Sequence, residues 1–138
     1  MQVRSYKSSD YQALIELYGK SDEFKVDKVT DSEANISRKI EKDPESLLVV
    51  EDNGEIVGSV SIVEDGRIAL LFRLVAVNTN KEDILKMLLT EAESILKKRG
   101  YEQMHNTAPT NDLNGIMERN KLGFKQGDTY TWFWKEFE

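Results

Sequence analysis

The stretch Ile68-Ala-Leu-Leu-Phe-Arg-Leu-Val-Ala-Val77 is the feature that most restricts the fold, together with the helix that its continuation predicts from Lys81 to Lys98. An apolar strand that leads directly into an amphipathic helix leaves the first N–H groups of that helix without intrahelical partners. These N–H groups and the helix dipole favour a phosphate or pyrophosphate at the helix start. The sequence therefore predicts an anion-binding turn at Asn78–Asp83.

Size and composition restrict the class of protein. The chain has 138 residues, 39% of them hydrophobic and 32% charged, which is typical of one soluble globular domain spanning residues 1–138. No apolar run approaches the roughly 20 residues of a membrane span, and the first residues lack an apolar signal segment. The chain has no cysteine, which excludes disulfides and thiolate metal sites. We expect a cytoplasmic protein without a bound metal.

The net charge of −6 disfavours binding to polyanionic partners. Nucleic acids and anionic membranes are bound through a basic surface, which this composition does not favour. Lys97-Lys-Arg99 is the densest basic cluster, but it lies in the last turn of the predicted helix. Cations there complement the helix dipole. We therefore expect neither a nucleic-acid nor a membrane partner.

The N-terminal third predicts one strand and two helices. Val3–Ser5 is typical of a short strand, and Ser9–Gln12 has the spacing of a capping box that opens the first helix. A second helix fits Ser32 to about Glu41, where Asp43-Pro44 stops it. The polar segment Gly19–Thr30 between them is predicted to be a loop, and such loops often border an active site.

Three strands in an antiparallel meander follow. They are predicted at Leu47–Glu51, Glu55–Glu64 and Arg67–Asn78. Asp52-Asn-Gly54 and Asp65-Gly66 separate them, and Asn-Gly and Asp-Gly between apolar runs are strong hairpin signals. The pattern predicts two hairpins in succession.

The segment after the long helix completes a strand–helix–strand unit. Gly100 is expected to end the helix, and Tyr101–Thr107 is predicted to be a strand parallel to the preceding one, because a helical crossover joins them. Pro109 and Asn111 are predicted to open one further helix. The fold class is therefore α/β, more exactly an α+β mixed sheet with helices on both faces.

Two closing strands are predicted at residues 124–126 and 130–136, with a turn at Gly127-Asp128. In Tyr130-Thr-Trp-Phe-Trp134 the alternation places Tyr130, Trp132 and Trp134 on one strand face and Phe133 on the other. Core packing under a helix is the favoured use of these rings. An acceptor pocket or a homodimer contact remains the alternative.

The element order and the closing Lys121-Leu-Gly-Phe124 resemble the GNAT superfamily of N-acetyltransferases along the whole chain. Val3-Arg4 with Asp10 resembles the opening strand and helix of that family, and Gly58 resembles the glycine of its third strand. Leu74–Val77 resembles the strand of the family beside which acetyl-CoA lies, and Asn111 resembles the asparagine that opens its penultimate helix. The resemblance implies a GNAT-like acyl-CoA N-acyltransferase fold, ordered strand, two helices, three strands, helix, strand, helix, two strands.

The resemblance also implies a reaction, which is direct attack by a primary amine of a small-molecule or peptide acceptor on the thioester of acetyl-CoA. The negative net charge favours a cationic acceptor. Acetyl-CoA would be contacted by Leu74, Val75, Ala76, Val77, Asn78, Thr79, Asn80, Lys81, Glu82, Asp83, Ile84, Leu85, Asn111 and Arg119. A different acyl chain length and a non-catalytic GNAT-fold ligand-binding or assembly protein are the alternatives.

The chain departs from the family pattern at the turn and in the penultimate helix. Asp83 and Leu85 stand where the phosphate loop of the family has glycines, and the turn is one residue shorter. An aspartate there either repels a diphosphate or stabilises the first helical turn. Arg119 replaces the usual tyrosine and cannot act as a general acid. Arg119 either contacts a CoA phosphate or forms a surface pair with Glu118 or Asp112.

The catalytic base is the least defined part of the site. Phe72 and Arg73 lie near where many family members carry a glutamate. His105 is the single histidine and is predicted on the next strand, and histidine is the residue type most often used as a general base. A hydrogen-bonded structural histidine is the alternative for His105.

Overall fold

A computed structural model describes residues 1–138, which fall into two compact units, residues 1–107 and 108–138. The first unit contains β1 (Gln2–Ser5), α1 (Tyr11–Gly19), α2 (Glu33–Lys42), β2 (Leu47–Asp52), β3 (Glu55–Glu64), β4 (Ala69–Ala76), α3 (Lys81–Lys98) and β5 (His105–Asn106). The second unit contains α4 (Leu113–Lys121). No helix combines the length and apolar character needed to span a bilayer.

The strands form one mixed sheet in the order β1-β2-β3-β4-β5. The first three pairings are antiparallel, and β4 pairs with β5 in parallel, as the helical crossover predicts. Asn53 and Gly54 connect β2 to β3 with φ angles of 50° and 83°. Two positive φ angles in a two-residue hairpin are the pattern that Asn-Gly favours. The predicted fold class is confirmed.

Helices cover both faces of the sheet. Leu47 and Val49 of β2 pack with Leu14, Leu17, Tyr18 and Ile36 of the first two helices. Val50 pairs with Gly58, so the two residues share the opposite face, against which α3 packs. All residues of β2 from 47 to 50 are buried, because each face of this strand has a helix over it.

The entry into α1 is held by an ion pair. Arg4 donates to both carboxylate oxygens of Asp10, at 2.8 and 2.9 Å, and the N–H of Lys7 donates to Asp10 at 2.9 Å. Burial acts to raise the pKa of Asp10, but the hydrogen bonds from Arg4 and Lys7 outweigh it and lower that pKa below its ordinary value. The predicted capping box at Ser9 is wrong, because Asp10 closes a short 3₁₀ turn and α1 begins at Tyr11.

Two glycines end helices in the same way. Gly100 after α3 has φ of 91°, and the N–H of Tyr101 donates to the Leu96 carbonyl at 3.0 Å. Gly123 after α4 has φ of 95°, and the N–H of Phe124 donates to the Arg119 carbonyl at 3.0 Å. These are Schellman caps, which need a left-handed residue. The helix end predicted at Gly100 is confirmed.

The strands predicted near the C-terminus differ most from the structure. β5 comprises only His105–Asn106 of the predicted 101–107, and residues 124–138 form no strand. The alternation at 130–134 is therefore not a sheet pattern here, because the backbone has no partner strand and the aromatic side chains are 71–86% exposed. The two closing strands are absent, and residues 124–138 after α4 have no regular secondary structure. The predicted core packing of the aromatic rings is wrong, because these rings are exposed.

Substitution of Gly58 by alanine is expected to destabilise the fold. A Cβ at this position would overlap Cγ2 of Ile84, a buried residue in the first turn of α3, so the helix would have to move away from the sheet. We expect a loss of about 1–3 kcal/mol in the free energy of unfolding, measured by urea denaturation. Gly19→Ala is the matched control, because a Cβ there has no neighbour within 4 Å. Equal stability of the two variants would contradict this packing.

Substitution of Asp10 by asparagine is expected to give a pH-dependent loss of stability. The pKa of Asp10 is lowered in the folded protein, so its contribution is present above the ordinary aspartate pKa and is lost as pH falls through the folded value. At pH 7 the variant should lose about 2 kcal/mol. The difference from the unsubstituted protein, measured in urea, should narrow below about pH 4. A difference that stays constant down to pH 2 would rule out the ion pair as its source.

Candidate functional site

Strand β4 parts from β5 after a short pairing. The parallel register joins Leu70 to His105 and Leu71 to Asn106. The Asn106 side-chain amide donates to the Leu71 carbonyl at 2.8 Å, at the point where the pairing ends. The remaining residues of β4, Phe72–Ala76, have no strand beside them on this edge. The main-chain N–H and C=O groups of these residues therefore have no β-sheet partner on this edge.

A bulge in β4 follows the same point. Ser61 pairs with Phe72 and Ser59 with Val75, so β3 has one residue between the two pairs and β4 has two. Arg73 is one of these two and has φ of 56°. A non-glycine residue in the left-handed region costs roughly 1–3 kcal/mol and persists only where its surroundings hold it. Such a bulge bends the strand and redirects the residues after it.

Asp31 and two aromatic rings hold the Arg73 side chain. The guanidinium donates to Asp31 from Nη2 at 2.9 Å and from Nε at 3.3 Å. The Arg73 and Asp31 side chains are only 10% and 4% exposed. The guanidinium carbon lies 4.3 Å from the ring centre of Phe24 and 4.6 Å from that of Phe72, within the range of cation–π attraction. One buried cation thus contacts a carboxylate and two aromatic rings.

The loop that carries Asp31 is anchored to α1. The N–H of Asp27 donates to the Asp31 carboxylate at 2.8 Å, and the Tyr11 hydroxyl donates to the Asp31 carbonyl at 2.9 Å. Phe24 stands edge-on to Tyr18 at 5.4 Å. Burial raises the pKa of Tyr18, and the nearby Asp31 charge adds to the rise. The predicted loop therefore packs against the bulged strand.

The turn between β4 and α3 lies where the sequence predicts it. Asn80 adopts the left-handed conformation with φ of 57°, which asparagine tolerates better than most residues, and its side chain makes no cap. The N–H of Lys81 donates to the Asn78 carbonyl at 3.4 Å, and α3 begins at Lys81. Val77 and Thr79 complete the connection. The helix start is thus formed by main-chain geometry.

The side chains of the first helical turn point to different surroundings. Glu82 and Asp83 are exposed, and Glu82 pairs with Lys86 at 2.7 Å. Ile84 and Leu85 are 1% and 2% exposed and belong to the core. These two residues could therefore meet a ligand only through the main chain, and the Leu85 side chain does not line an open acyl pocket. The negative charge at this helix start comes from Glu82 and Asp83.

His105 lies at the paired end of β4. Its side chain is exposed and borders a surface cavity of about 460 Å³, which is also lined by Gly66, Arg67, Ile68, Arg99, Gly100, Tyr101, Glu102 and Gln103. His105 pairs with Leu70, and Ala76 is six positions further along β4. At a rise of about 3.3 Å per residue, this separation is about 20 Å. His105 therefore lies close to the start of the unpaired edge at Phe72 and distant from its far end at Ala76.

Asn111 and Arg119 belong to the second unit. Asn111 is exposed in the turn before α4, and the neighbouring Asp112 caps the helix by accepting from the Gly115 N–H at 3.0 Å. Arg119 donates to the Gly115 carbonyl of its own helix at 3.0 Å. Asp112, rather than Asn111, therefore caps α4.

Sequence reasoning did not identify the Arg73–Asp31 cluster. Arg73 was recognised only as a residue in the place of a glutamate. The signal that was present is an arginine within an apolar strand, since a buried guanidinium needs a carboxylate partner. Several acids in the loop before α2 could have supplied that partner, and only the folded chain distinguishes them.

The sequence is 34% identical to an acetyltransferase of Pectobacterium atrosepticum over 132 residues, which span 95% of this chain and 92% of that protein. The fold is similar to a PaiA N-acetyltransferase from Thermoplasma acidophilum in complex with coenzyme A, with a TM-score of 0.77 and 21% identity over 94% of this chain and 92% of that one. It is also similar to Ard1 from Thermoplasma volcanium, with a TM-score of 0.77 and 16% identity over 92% of this chain and 84% of that one. No protein-family model matches the chain.

Two substitutions of Arg73 are expected to separate the backbone strain from the ion pair. Arg73→Ala and Arg73→Gly both remove the cation beside Asp31, so both should be less stable than the unsubstituted protein. Only glycine adopts φ of 56° without a steric penalty. The glycine variant should exceed the alanine variant by about 1 kcal/mol in free energy of unfolding. An alanine variant as stable as the glycine variant would contradict the left-handed backbone.

Proposed function

Because this chain belongs to the GNAT superfamily of N-acetyltransferases, we propose that it is an enzyme that transfers the acetyl group of acetyl-CoA to a primary amine by direct attack. The observation that carries the proposal is the β4 edge Phe72–Ala76, which has no strand beside it. A thioester placed along this edge would meet main-chain N–H groups in an apolar environment. Donors fixed in such a place stabilise an oxyanion as it develops.

The residues around the helix start fit acetyl-CoA through their main chain. Leu74, Val75 and Ala76 would contact the pantetheine arm, and the turn from Asn78 into the first turn of α3 would receive the pyrophosphate. The exposed Asp83 opposes such an anion. Because Asp83 is solvated, the opposition should amount to about 1 kcal/mol rather than the larger value of a dry site. Asn111 and Arg119 are proposed further contacts, to be tested by substitution.

The reaction needs two proton movements. An amine that is protonated at neutral pH must lose a proton before it attacks, and the departing sulfur must gain one. We propose His105 as the base, to which a chain of several water molecules would carry the proton of the amine, because a single water cannot span the distance from Leu74–Ala76. Arg119 cannot donate the second proton, so solvent would supply it.

A second candidate function is a fold-retaining protein that binds a ligand or a partner without acetyl transfer. The exposed Trp132, Phe133 and Trp134 favour it, because clustered exposed aromatic residues often mark interaction surfaces. Fold alone does not distinguish the two functions. Glu82 and Asp83 also favour the second candidate, because their negative charges weaken an anion site.

The discriminating experiment combines calorimetry with a thiol-release assay. The enzyme hypothesis predicts that acetyl-CoA binds at micromolar to millimolar concentration and that thiol is released when an amine from a broad panel is added. Absence of both would refute the hypothesis. Binding without thiol release would favour the non-catalytic candidate. Propionyl-CoA in a parallel titration tests the acyl chain length.

Removal of the Asp83 charge is expected to strengthen acetyl-CoA binding. Asp83→Asn removes the charge alone, and Asp83→Gly removes the Cβ as well. We expect the asparagine variant to bind about fivefold more tightly, which corresponds to ~1 kcal/mol, as measured by calorimetry. Glu41→Gln is the control, because it removes an exposed charge at the end of α2. Weaker binding by both Asp83 variants would show that the pyrophosphate does not lie at this turn.

Replacement of His105 by alanine is expected to slow thiol release by about tenfold or more, because general bases contribute on this scale or above it. The urea midpoint should not change, since the His105 side chain is exposed. The rate should be compared from pH 6 to pH 9 in both proteins, and the shape of the pH profile should differ between them. An unchanged pH profile would remove His105 from the mechanism.

A further inference from the structure

We infer that Asp31, Phe24 and Phe72 form a cation site for the acceptor, which the guanidinium of Arg73 occupies until an acceptor with a second positive group displaces it. The inference rests on the proposed function, because it concerns which amine that site accepts. It specifies the acceptor class as small aminoalkylguanidines. The acceptor would place one cationic group in this site and present its primary amine to the thioester.

The chemistry of the site is that of cation recognition. Asp31 is 4% exposed, accepts two hydrogen bonds from the guanidinium, and is oriented by the Asp27 N–H at 2.8 Å. The rings of Phe24 and Phe72 lie 4.3 and 4.6 Å from the guanidinium carbon. A buried carboxylate supplies charge-assisted hydrogen bonds, and two aromatic faces attract a cation electrostatically. These groups would bind an external guanidinium through the same contacts, whereas a single ammonium lacks the planar pair of N–H donors and should bind far more weakly.

The internal ligand can be displaced at a reduced cost. The pairs Ser61–Phe72 and Ser59–Val75 flank the bulge, so the Arg73 side chain can leave the site while the bulge keeps its backbone. Asp31 is the single hydrogen-bond partner of the guanidinium. A long, flexible arginine side chain can then extend into solvent, where a cation is well hydrated.

The cation site lies next to the residues proposed to bind the thioester. Arg73 directly precedes Leu74–Ala76, the residues proposed to lie beside the thioester. An acceptor with a short chain between its reactive amine and its second cation could therefore reach both places. The net charge of −6 also favours a dicationic ligand over a neutral one, because the whole molecule attracts it.

The first experiment observes Arg73 directly in the full-length, unsubstituted protein. The Nε–H resonance of Arg73, assigned by comparison with Arg73→Lys, reports whether the guanidinium is enclosed or solvated. Titration with 4-aminobutylguanidine should move this resonance to the position of a solvated arginine. Butylamine, which has the same amine without the guanidinium, should leave it in place. A resonance unaffected by both compounds would overturn the inference.

The second experiment uses variants and calorimetry with the same two compounds. Arg73→Met removes the internal ligand while keeping a long side chain, so 4-aminobutylguanidine should bind about tenfold more tightly, since less of the site is already occupied. Asp31→Asn should weaken binding by about tenfold or more through loss of the charged acceptor. Butylamine binding should not respond to either change. Unchanged affinity for 4-aminobutylguanidine in both variants would contradict the site.

The experiments distinguish failure of the cation site from failure of the proposed function. Displacement of Arg73 is measured without acetyl-CoA, so it can occur in a protein that never releases thiol. In that outcome the cation site stands and the transferase assignment fails. If thiol release instead occurs equally with butylamine and 4-aminobutylguanidine while the Arg73 resonance stays fixed, the transferase stands and the cation site is overturned.

Discussion

The separation of β4 from β5 after Leu71 is the constraint on which the candidate site depends. A parallel pair normally continues its ladder, and an unpaired edge inside a protein leaves main-chain groups unsatisfied. Here the Asn106 side chain takes the Leu71 carbonyl, and the bulge at Arg73 redirects the strand beyond it. Strand pairs on both sides hold the bulge, and in the free protein the ion pair with Asp31 fixes the Arg73 side chain beside it.

Features set by neighbouring residues were predictable from the sequence. The Asn53-Gly54 hairpin, the start of α3 at Lys81 and the helix end at Gly100 each depend on local backbone preferences. The bulge is different, because the residue that stabilises Arg73 lies 42 positions earlier in the chain. No local pattern specifies such a pair. The closing strands were predicted from a local pattern and are absent. The alternation at 130–134 predicts a strand only if a partner strand exists.

The candidate site was predictable in position but not in detail. The turn after Val77 and the β4 segment Leu74–Ala76 follow from the strand–helix order, which the family resemblance supports. The burial of Ile84 and Leu85 could be anticipated from helix periodicity, and it limits both residues to main-chain contacts. The distance of His105 from the far end of the unpaired edge depends on register, which periodicity does not provide. The fold elements thus follow from residues that are close in sequence, whereas the arrangement of the site depends on residues that are far apart in sequence.

The most direct test of this account is a crystal structure of the full chain grown with acetyl-CoA. Density for the pantetheine arm is expected along Phe72–Ala76, with main-chain hydrogen bonds to it, and the diphosphate is expected beside the turn that ends at Lys81. The bulge at Arg73 should be unchanged. Density showing this edge filled by the protein's own atoms, with the cofactor elsewhere or missing, would contradict the account.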